Sequence, residues 1–410
     1  MSTIAQNSTI SPYSYFGIGD TRNNGTIDNR MMGGLQMYGD SIHINLRNPT
    51  AFSKLKLTTY TIGLSHRELQ LKENSETQRT SITNIDYLGI GIPIAKNTAM
   101  GFGIQPFTSV GYDLVSEAIN SEQDSIRNVF TGNGGLNRVF LSLGFQPVKN
   151  FAVGATANFN FGNLQYNRFE TIENIQLGTF DRRESKINGF DFNFGATFTP
   201  KINKKNTLFT YFGADTQINL VSKNSRTIGS FSSTQGEIEV IEVDLNEQDL
   251  RNTELKIPTK WTAGLGLGED TKWFIGSEYS FQEMSAFKNT FLGQENITYI
   301  NAYSVALGGF YIPNYQSLSG FFNRITYRAG LRFNRTGLMV EEEEINNFGI
   351  TFGFGVPIVG TGADRFSNLN IGFELGRRGT RNAGLLEESY LNISIGLSLN
   401  DRWFIKRKIN

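Results

Sequence analysis

The chain of 410 residues contains no cysteine. That excludes disulfides, thiolate chemistry and cysteine-ligated metals. Histidine is almost absent too, with only His43 and His66, and neither a metal site nor a cofactor is expected. The formal net charge is zero, so nucleic-acid binding has no electrostatic support. Charged residues are 19% of the chain, below the level of about 25% typical of soluble domains. No apolar run approaches the roughly 20 residues of a membrane helix, which excludes a helical membrane protein. No intact secretion signal is visible; Ser2-Thr3-Ile4-Ala5-Gln6 is compatible with the remnant of a cleavage region.

What is present is alternation. Leu391, Ile393, Ile395, Leu397 and Leu399 alternate with Asn392, Ser394, Gly396 and Ser398. Phe190, Phe192, Phe194, Ala196 and Phe198 alternate with Asp191, Asn193, Gly195 and Thr197. Phe348 to Gly355 behaves likewise. A period of two is the signature of a strand with unlike faces. About fourteen such strands can be read, near 56–68, 80–94, 98–112, 136–147, 151–165, 187–200, 207–221, 258–268, 271–283, 298–312, 323–335, 345–358, 365–377 and 388–400. Residues 1–54 lack this pattern and read as irregular packed structure with one short helix.

Proline punctuates the alternation. Five of the nine prolines (Pro93, Pro147, Pro200, Pro313, Pro357) close a strand and precede a polar turn. Proline is tolerated at a strand end because it cannot donate to a central ladder. All five fall on even-numbered strands, and the links after those strands are short. The links after odd strands read as longer, with 113–135, 166–186, 222–257 and 284–297 the clearest. Short turns at one rim and long loops at the other mark a transmembrane β-barrel. An even strand count puts both termini at the short-turn rim, the periplasmic one in an outer membrane.

Fourteen strands closed into one barrel enclose too wide a lumen for their own inward side chains to fill. The apolar set must then face lipid, and the Gly, Ser, Asn and Thr set a wet or plugged lumen. Closure also pairs every backbone group in lipid, which an open sheet could not do. A soluble propeller or solenoid is the competing architecture. Trp261, Trp273, Tyr303 and Trp403 suit interfacial girdles, or are ordinary strand aromatics.

Four stretches carry a family likeness. They are Ser11-Pro12-Tyr13-Ser14-Tyr15-Phe16-Gly17-Ile18-Gly19-Asp20, Asn48-Pro49-Thr50-Ala51, the run from Gly132 to Arg138 followed by Asn150 to Ala155, and Asn400-Asp401-Arg402-Trp403-Phe404. With them the chain resembles the FadL-like outer-membrane barrels, in particular the Bacteroidetes branch that includes PorV-like proteins of the type IX secretion system. The resemblance implies a fourteen-stranded barrel (55–410) with an N-terminal hatch (1–54) inside the lumen. Asn48, Pro49, Thr50 and Ala51 resemble that family's Asn-Pro-Ala hatch motif with one residue inserted. The chain departs from many such barrels by running past Phe404 into a basic tail, Ile405 to Asn410, which reads as a solvated end.

Parity turns Arg138, Asp191, Glu278, Arg328, Arg332 and Glu374 toward the lumen. Unpaired charges there are costly, so pairing or water is expected. They are read either as a network that holds the hatch, whose own charges include Asp20, Arg22, Asp28, Arg30 and Arg47, or as a solvated wall. The acidic alternation from Glu237 to Asp244 reads as an extra hairpin above the barrel, and Glu341 to Glu344 as a solvated acidic cluster. Catalysis finds no support: His43 lies in the hatch region, His66 near a strand end, and Gly264-x-Gly266 and Gly353-x-Gly355 sit inside strands rather than at a strand-to-helix turn. Two functions are carried forward. One is passive transport of hydrophobic small molecules, which needs an opening at the long-loop rim, an apolar pocket and a gap in the wall. The other is an accessory or plug subunit bound to a large barrel of the type IX translocon. Outer-membrane lipid is a partner in both.

Overall fold

The computed structural model describes residues 9–22, 25–73, 76–119, 123–292, 297–317, 320–359 and 366–402. The stretch Ser2 to Gln6, Trp403, Phe404 and the tail Ile405 to Asn410 lie outside these residues. Fourteen antiparallel strands close into one barrel. They are β1 (Thr58–Glu73), β2 (Glu76–Ala95), β3 (Thr98–Ile119), β4 (Ser125–Val148), β5 (Phe151–Ile172), β6 (Gly178–Phe198), β7 (Asn206–Asp215 continued by Ile218–Ser232), β8 (Asn252–Ile257 continued by Lys260–Glu269), β9 (Trp273–Gln282), β10 (Ile297–Tyr299 continued by Ala302–Tyr311), β11 (Thr326–Val340), β12 (Glu343–Val359), β13 (Phe366–Arg378) and β14 (Glu387–Asp401). Closure is made by β14 on β1, from Asp401 opposite Thr58 to Glu387 opposite Lys72.

Burial is inverted relative to a soluble domain. On β14, Asn392 is 3% exposed and Ser394 0%, whereas Ile395 is 48% and Leu399 46% exposed. Apolar side chains stand outward along every strand read as lipid-facing, because lipid is their solvent. Aromatics form two belts on β8 to β11. Trp273, Tyr311 and Tyr327 are register neighbours at one level; Trp261, Phe281 and Tyr303 are neighbours at another. The eight-residue step from Trp273 to Phe281 along a tilted strand spans roughly 20 Å of membrane normal, so Trp261, Trp273 and Tyr303 sit where interfacial side chains belong.

The long links need correction. β3 runs on to Ile119, β5 to Ile172 and β7 to Ser232, so most of 113–135, 166–186 and 222–257 is strand rather than loop. These extensions carry polar residues on both faces, which hides the period-two signal, yet their ladders continue unbroken to the tips. The extra strand Gly236–Glu242 pairs back on β7, from Gly236 opposite Ser232 to Glu242 opposite Thr227. His66 therefore sits within β1, where its ring contacts Thr83 and Glu68.

Residues 9–22 and 25–57 are enclosed by the barrel. They contain 3-10 turns at Pro12–Tyr15 and Pro49–Lys54, a two-residue strand at Asp20–Thr21 and one helical turn at Ile27–Arg30. Several inward glycines are sockets for this segment. A Cβ at Gly308 would lie 2.2 Å from the Met32 carbonyl oxygen, and one at Gly330 2.1 Å from the Gly33 nitrogen. Gly144 and Gly154 leave the same room for the Pro49 backbone, with a Cβ 2.5 Å from it in each case. We expect Gly330→Val to displace the plug at an overpacking cost of about 1–3 kcal/mol. Proteolysis of folded protein in detergent should then cut within residues 9–57 faster, with heat-modifiable migration of the barrel retained. Unchanged cleavage of the folded variant would refute the socket.

Candidate functional site: a strapped breach in the wall

The ladder fails at one place. β2 and β3 pair only from Ala95 opposite Thr98 up to Leu88 opposite Ile104. Beyond that point β2 pairs with β1 alone, while β3 pairs with β4. A bulge lies on each strand at the parting. In β2 it is Asp86, skipped where Tyr87 opposes Gly63 and Ile85 opposes Leu64; in β3 it is Phe107, between Pro106 and Thr108. Bulges bend a strand, and Pro106 has no N–H to offer a neighbour.

The enclosed segment covers the exposed edge of β3. Asp20 lies opposite Ser109 and Thr21 opposite Thr108 as a short antiparallel strand. The Arg22 N–H donates to the Phe107 carbonyl at 3.0 Å, and Arg22 Nε to Ser109 Oγ at 3.0 Å. Ser14 Oγ donates to the Gly111 carbonyl at 3.2 Å and accepts from its N–H at 3.1 Å, in place of a missing strand. The same segment grips the other side of the breach. Arg378 of β13 donates to Asp20 at 2.7 Å, and Arg67 of β1 lies 4.0 Å from it. The Tyr13 hydroxyl donates to the Leu386 carbonyl at 2.6 Å, Ser11 to Glu388, and Arg30 pairs with the bulged Asp86. Residues 11–22 thus form a strap that ties β3 to the β13–β14–β1 side.

Two cavities meet at the strap. One, of about 880 Å³, fills the gap above the parting; Ile10, Tyr15, Leu71, Leu114, Phe130 and Leu385 line it, with Glu73, Glu76 and Asp113 toward its outer end. The second, of about 440 Å³, lies in the lumen and is lined by charged groups that include Arg22, Arg67, Asp86, Arg138, Glu278 and Arg378. Tyr13 and Phe16 border both.

The six inward charges read from parity do not form one network. Arg138 pairs with Asp191 at 3.0 Å, donates to Asn160 at 2.8 Å, and stacks its guanidinium 4.1 Å above the Phe107 ring. Arg332 donates to Glu374 through Nε at 2.8 Å, and Asn392 also donates to Glu374. Arg328 donates to Asn370 at 2.9 Å. These are wall-to-wall contacts, in which each arginine reaches across the intervening strand to a partner on the next strand but one. Glu278 hydrogen-bonds the plug, accepting the Gln36 and Met37 N–H groups at 2.8 and 2.6 Å. The other anchors of the plug escaped sequence reasoning: Asp86, Arg67, Arg378, Glu388, Tyr87, whose hydroxyl accepts the Ile27 N–H, and Thr351, whose hydroxyl accepts the Gly33 N–H. Asp86 was hidden by its bulge, which breaks parity.

The Asn48 motif lies at the base of the plug. Asn48 Oδ1 caps the following turn, accepting from the Thr50 N–H at 2.9 Å and its hydroxyl at 2.7 Å, while Nδ2 donates to the Gln36 carbonyl. Pro49 opens the 3-10 turn, and Thr50 and Ala51 are buried within it. Nearby, Asp40 accepts the Ile42 and His43 N–H groups and meets His43 Nδ1 at 2.7 Å. Burial opposes charge on both side chains, but their pairing prevails, holding Asp40 at about 2 and raising His43.

A family model described as BamG matches residues 1–410. The chain belongs to the BamG family. A comparison with curated protein sequences finds no match. Among solved structures it is similar to the toluene transporter TodX of Pseudomonas putida, at 15% identity and a TM-score of 0.58, covering 95% of this chain and 100% of that one. It is also similar to a Pseudomonas aeruginosa FadL homologue (13% identity, TM-score 0.56, 93% and 98% covered). A third similar structure is the CymD monoaromatic hydrocarbon channel (14%, 0.52, 94% and 99%). The BamG-family chain therefore shares the β-barrel fold of these FadL-type structures. Replacing Glu278 with Ala should leave two buried N–H groups of the plug without acceptors, each costing about 1–3 kcal/mol. Single-channel conductance should rise in Glu278→Ala and stay low in Asn370→Ala, which removes a hydrogen bond between two wall strands; equal conductance in the two would remove Glu278 from the plug's anchors.

Proposed function

We propose that this BamG-family barrel passes hydrophobic small molecules from the long-strand rim sideways through the wall between β2 and β3. The observation that carries the reading is the break in the β2–β3 ladder with an apolar-lined cavity in it. TodX and CymD, whose folds are similar, are described as a toluene transporter and a monoaromatic hydrocarbon channel. The lumen beneath is charged and plugged, so a straight aqueous route is a poor path for an apolar solute. A sideways exit needs only the strap to yield. Residues 1–54 act in this reading as a hatch, with Asn48, Pro49, Thr50 and Ala51 forming its foot and the pairs Arg138–Asp191 and Arg332–Glu374 stiffening the wall that holds it. Arg328 and Glu278 complete the frame. The short-turn rim, where β1 begins at Thr58 and β14 ends at Asp401, faces the periplasm in this reading, and the chain carries no catalytic role. The structural similarities do not favour the translocon-subunit alternative.

The absence of cysteine makes a clean test available. A T21C/T108C variant places one thiol pair at a register contact between strap and β3. In proteoliposomes, uptake of a monoaromatic hydrocarbon should fall to the level of empty vesicles on oxidation and return on reduction. Uptake that ignores the crosslink would rule out the lateral path; no uptake by the reduced protein or the wild type would rule out the transport reading itself.

A further inference from the structure

The short-turn rim carries a patterned charge. Lys96 follows β2, Lys149 follows β4, and Lys201, Lys204 and Lys205 follow β6; all five are exposed, and none makes an ion pair among the described residues. Turn by turn, each sits at the end of an outward apolar stripe. Leu88, Ile90, Ile92 and Ile94 run down β2 to Lys96. Leu141, Leu143 and Phe145 run down β4, and after a register shift Val148 restores the stripe beside Lys149. Phe190, Phe192, Phe194 and Phe198 run down β6 toward Ile202, which stands among the three lysines. Ile94, Val148 and Ile202 are 53%, 61% and 60% exposed.

A protein-binding patch would place charge and grease side by side on a face away from the bilayer. Here the grease is the lower edge of the lipid-facing band and the ammonium groups come immediately below it. That is the geometry of lysines whose stems lie along acyl chains while the charge reaches headgroup phosphates. The carboxylates of the neighbouring β8–β9 turn, Glu269 and Asp270, bound the arc; Lys272, which pairs with Glu269 at 3.5 Å, is excluded from it. No acidic residue occurs in 94–98, 147–151 or 199–206.

We infer that Lys96, Lys149, Lys201, Lys204 and Lys205 form an arc that binds the phosphate headgroups of anionic phospholipid in the leaflet next to the short turns. Its assignment to the periplasmic leaflet rests on the rim orientation proposed above; the binding does not. Basic residues close to an anionic surface each add to its attraction, so loss of five charges should lower selectivity for anionic lipid at least about tenfold.

The test uses the full chain purified in neutral detergent and exchanged into mixed micelles of phosphatidylglycerol and phosphatidylcholine, with retained lipid counted by native mass spectrometry. Wild type should retain phosphatidylglycerol preferentially. The variant K96Q/K149Q/K201Q/K204Q/K205Q should lose that preference, and the matching five-fold Lys→Arg variant should keep it, with heat-modifiable migration showing that both are folded. The inference fails if wild type shows no preference, or if the Gln variant retains it. It also fails if the arc instead captures an acidic protein from native membranes in a lysine-dependent way without selecting anionic lipid.

Discussion

A strand edge beside lipid must be paired, because hydrocarbon offers its N–H and C=O groups no partner. Among the described residues the β2–β3 junction meets that condition only in part, its two strands parting above Leu88 and Ile104. The rest of the molecule is arranged around that shortfall. The strap supplies Ser14, Asp20, Thr21 and Arg22 as a substitute strand along β3. Holding a substitute in place requires anchors, so Asp20 binds Arg378 and Arg67 and Tyr13 reaches Leu386. The plug beneath the strap is in turn wedged against Gly308, Gly330, Gly144 and Gly154. The sealing is thus done by parts that are not continuous with the wall and need not move with it.

The buried ion pairs should not be credited with much net stability. Desolvating two charges roughly cancels their attraction, whereas removing one partner is costly. Such pairs are better suited to excluding wrong arrangements. Arg138 on the Phe107 ring fixes the bulged residue inward, and Arg30 on Asp86 does the same for the bulge in β2. A barrel with a regular ladder at this point would have no use for either pair. The charges that most resemble decoration of a wet lumen therefore define the shape of the breach.

Much of the barrel was legible in the sequence. Alternation at Phe190 to Phe198 and Leu391 to Leu399 set faces and strand count, and the five strand-ending prolines marked one rim. What stayed hidden follows from the limits of a period-two signal. The polar extensions of β3, β5 and β7 are solvated on both faces, so nothing alternates. Inward glycine looks the same whether it faces water or the backbone of a plug; only the Met32 and Pro49 backbones distinguish the two. Asp86 sits in a bulge and so falls out of register with parity. One clue was readable and passed over. Pro106 stands eight residues into a strand, where a proline argues against regular pairing, and it marks the breach as clearly as Pro93 marks the rim.

The two cavities at the strap differ in chemistry, the gap being the more apolar and the lumen the more charged, and this constrains how such a wall could work. If the lumen were apolar, a hydrophobic solute would partition into it and stay, since the exit offers no gain in transfer free energy. A charged lumen disfavours that solute by the same roughly 25 cal/mol per Å² that favours its burial elsewhere. Tyr13 and Phe16, which border both spaces, then stand at a boundary where an apolar molecule gains by moving toward the gap and loses by moving back. The difference in polarity would set which route an apolar solute takes, its concentration difference across the wall would set the direction, and the strap would decide only when the gap is open. On this view a polar lumen is what a lateral exit requires.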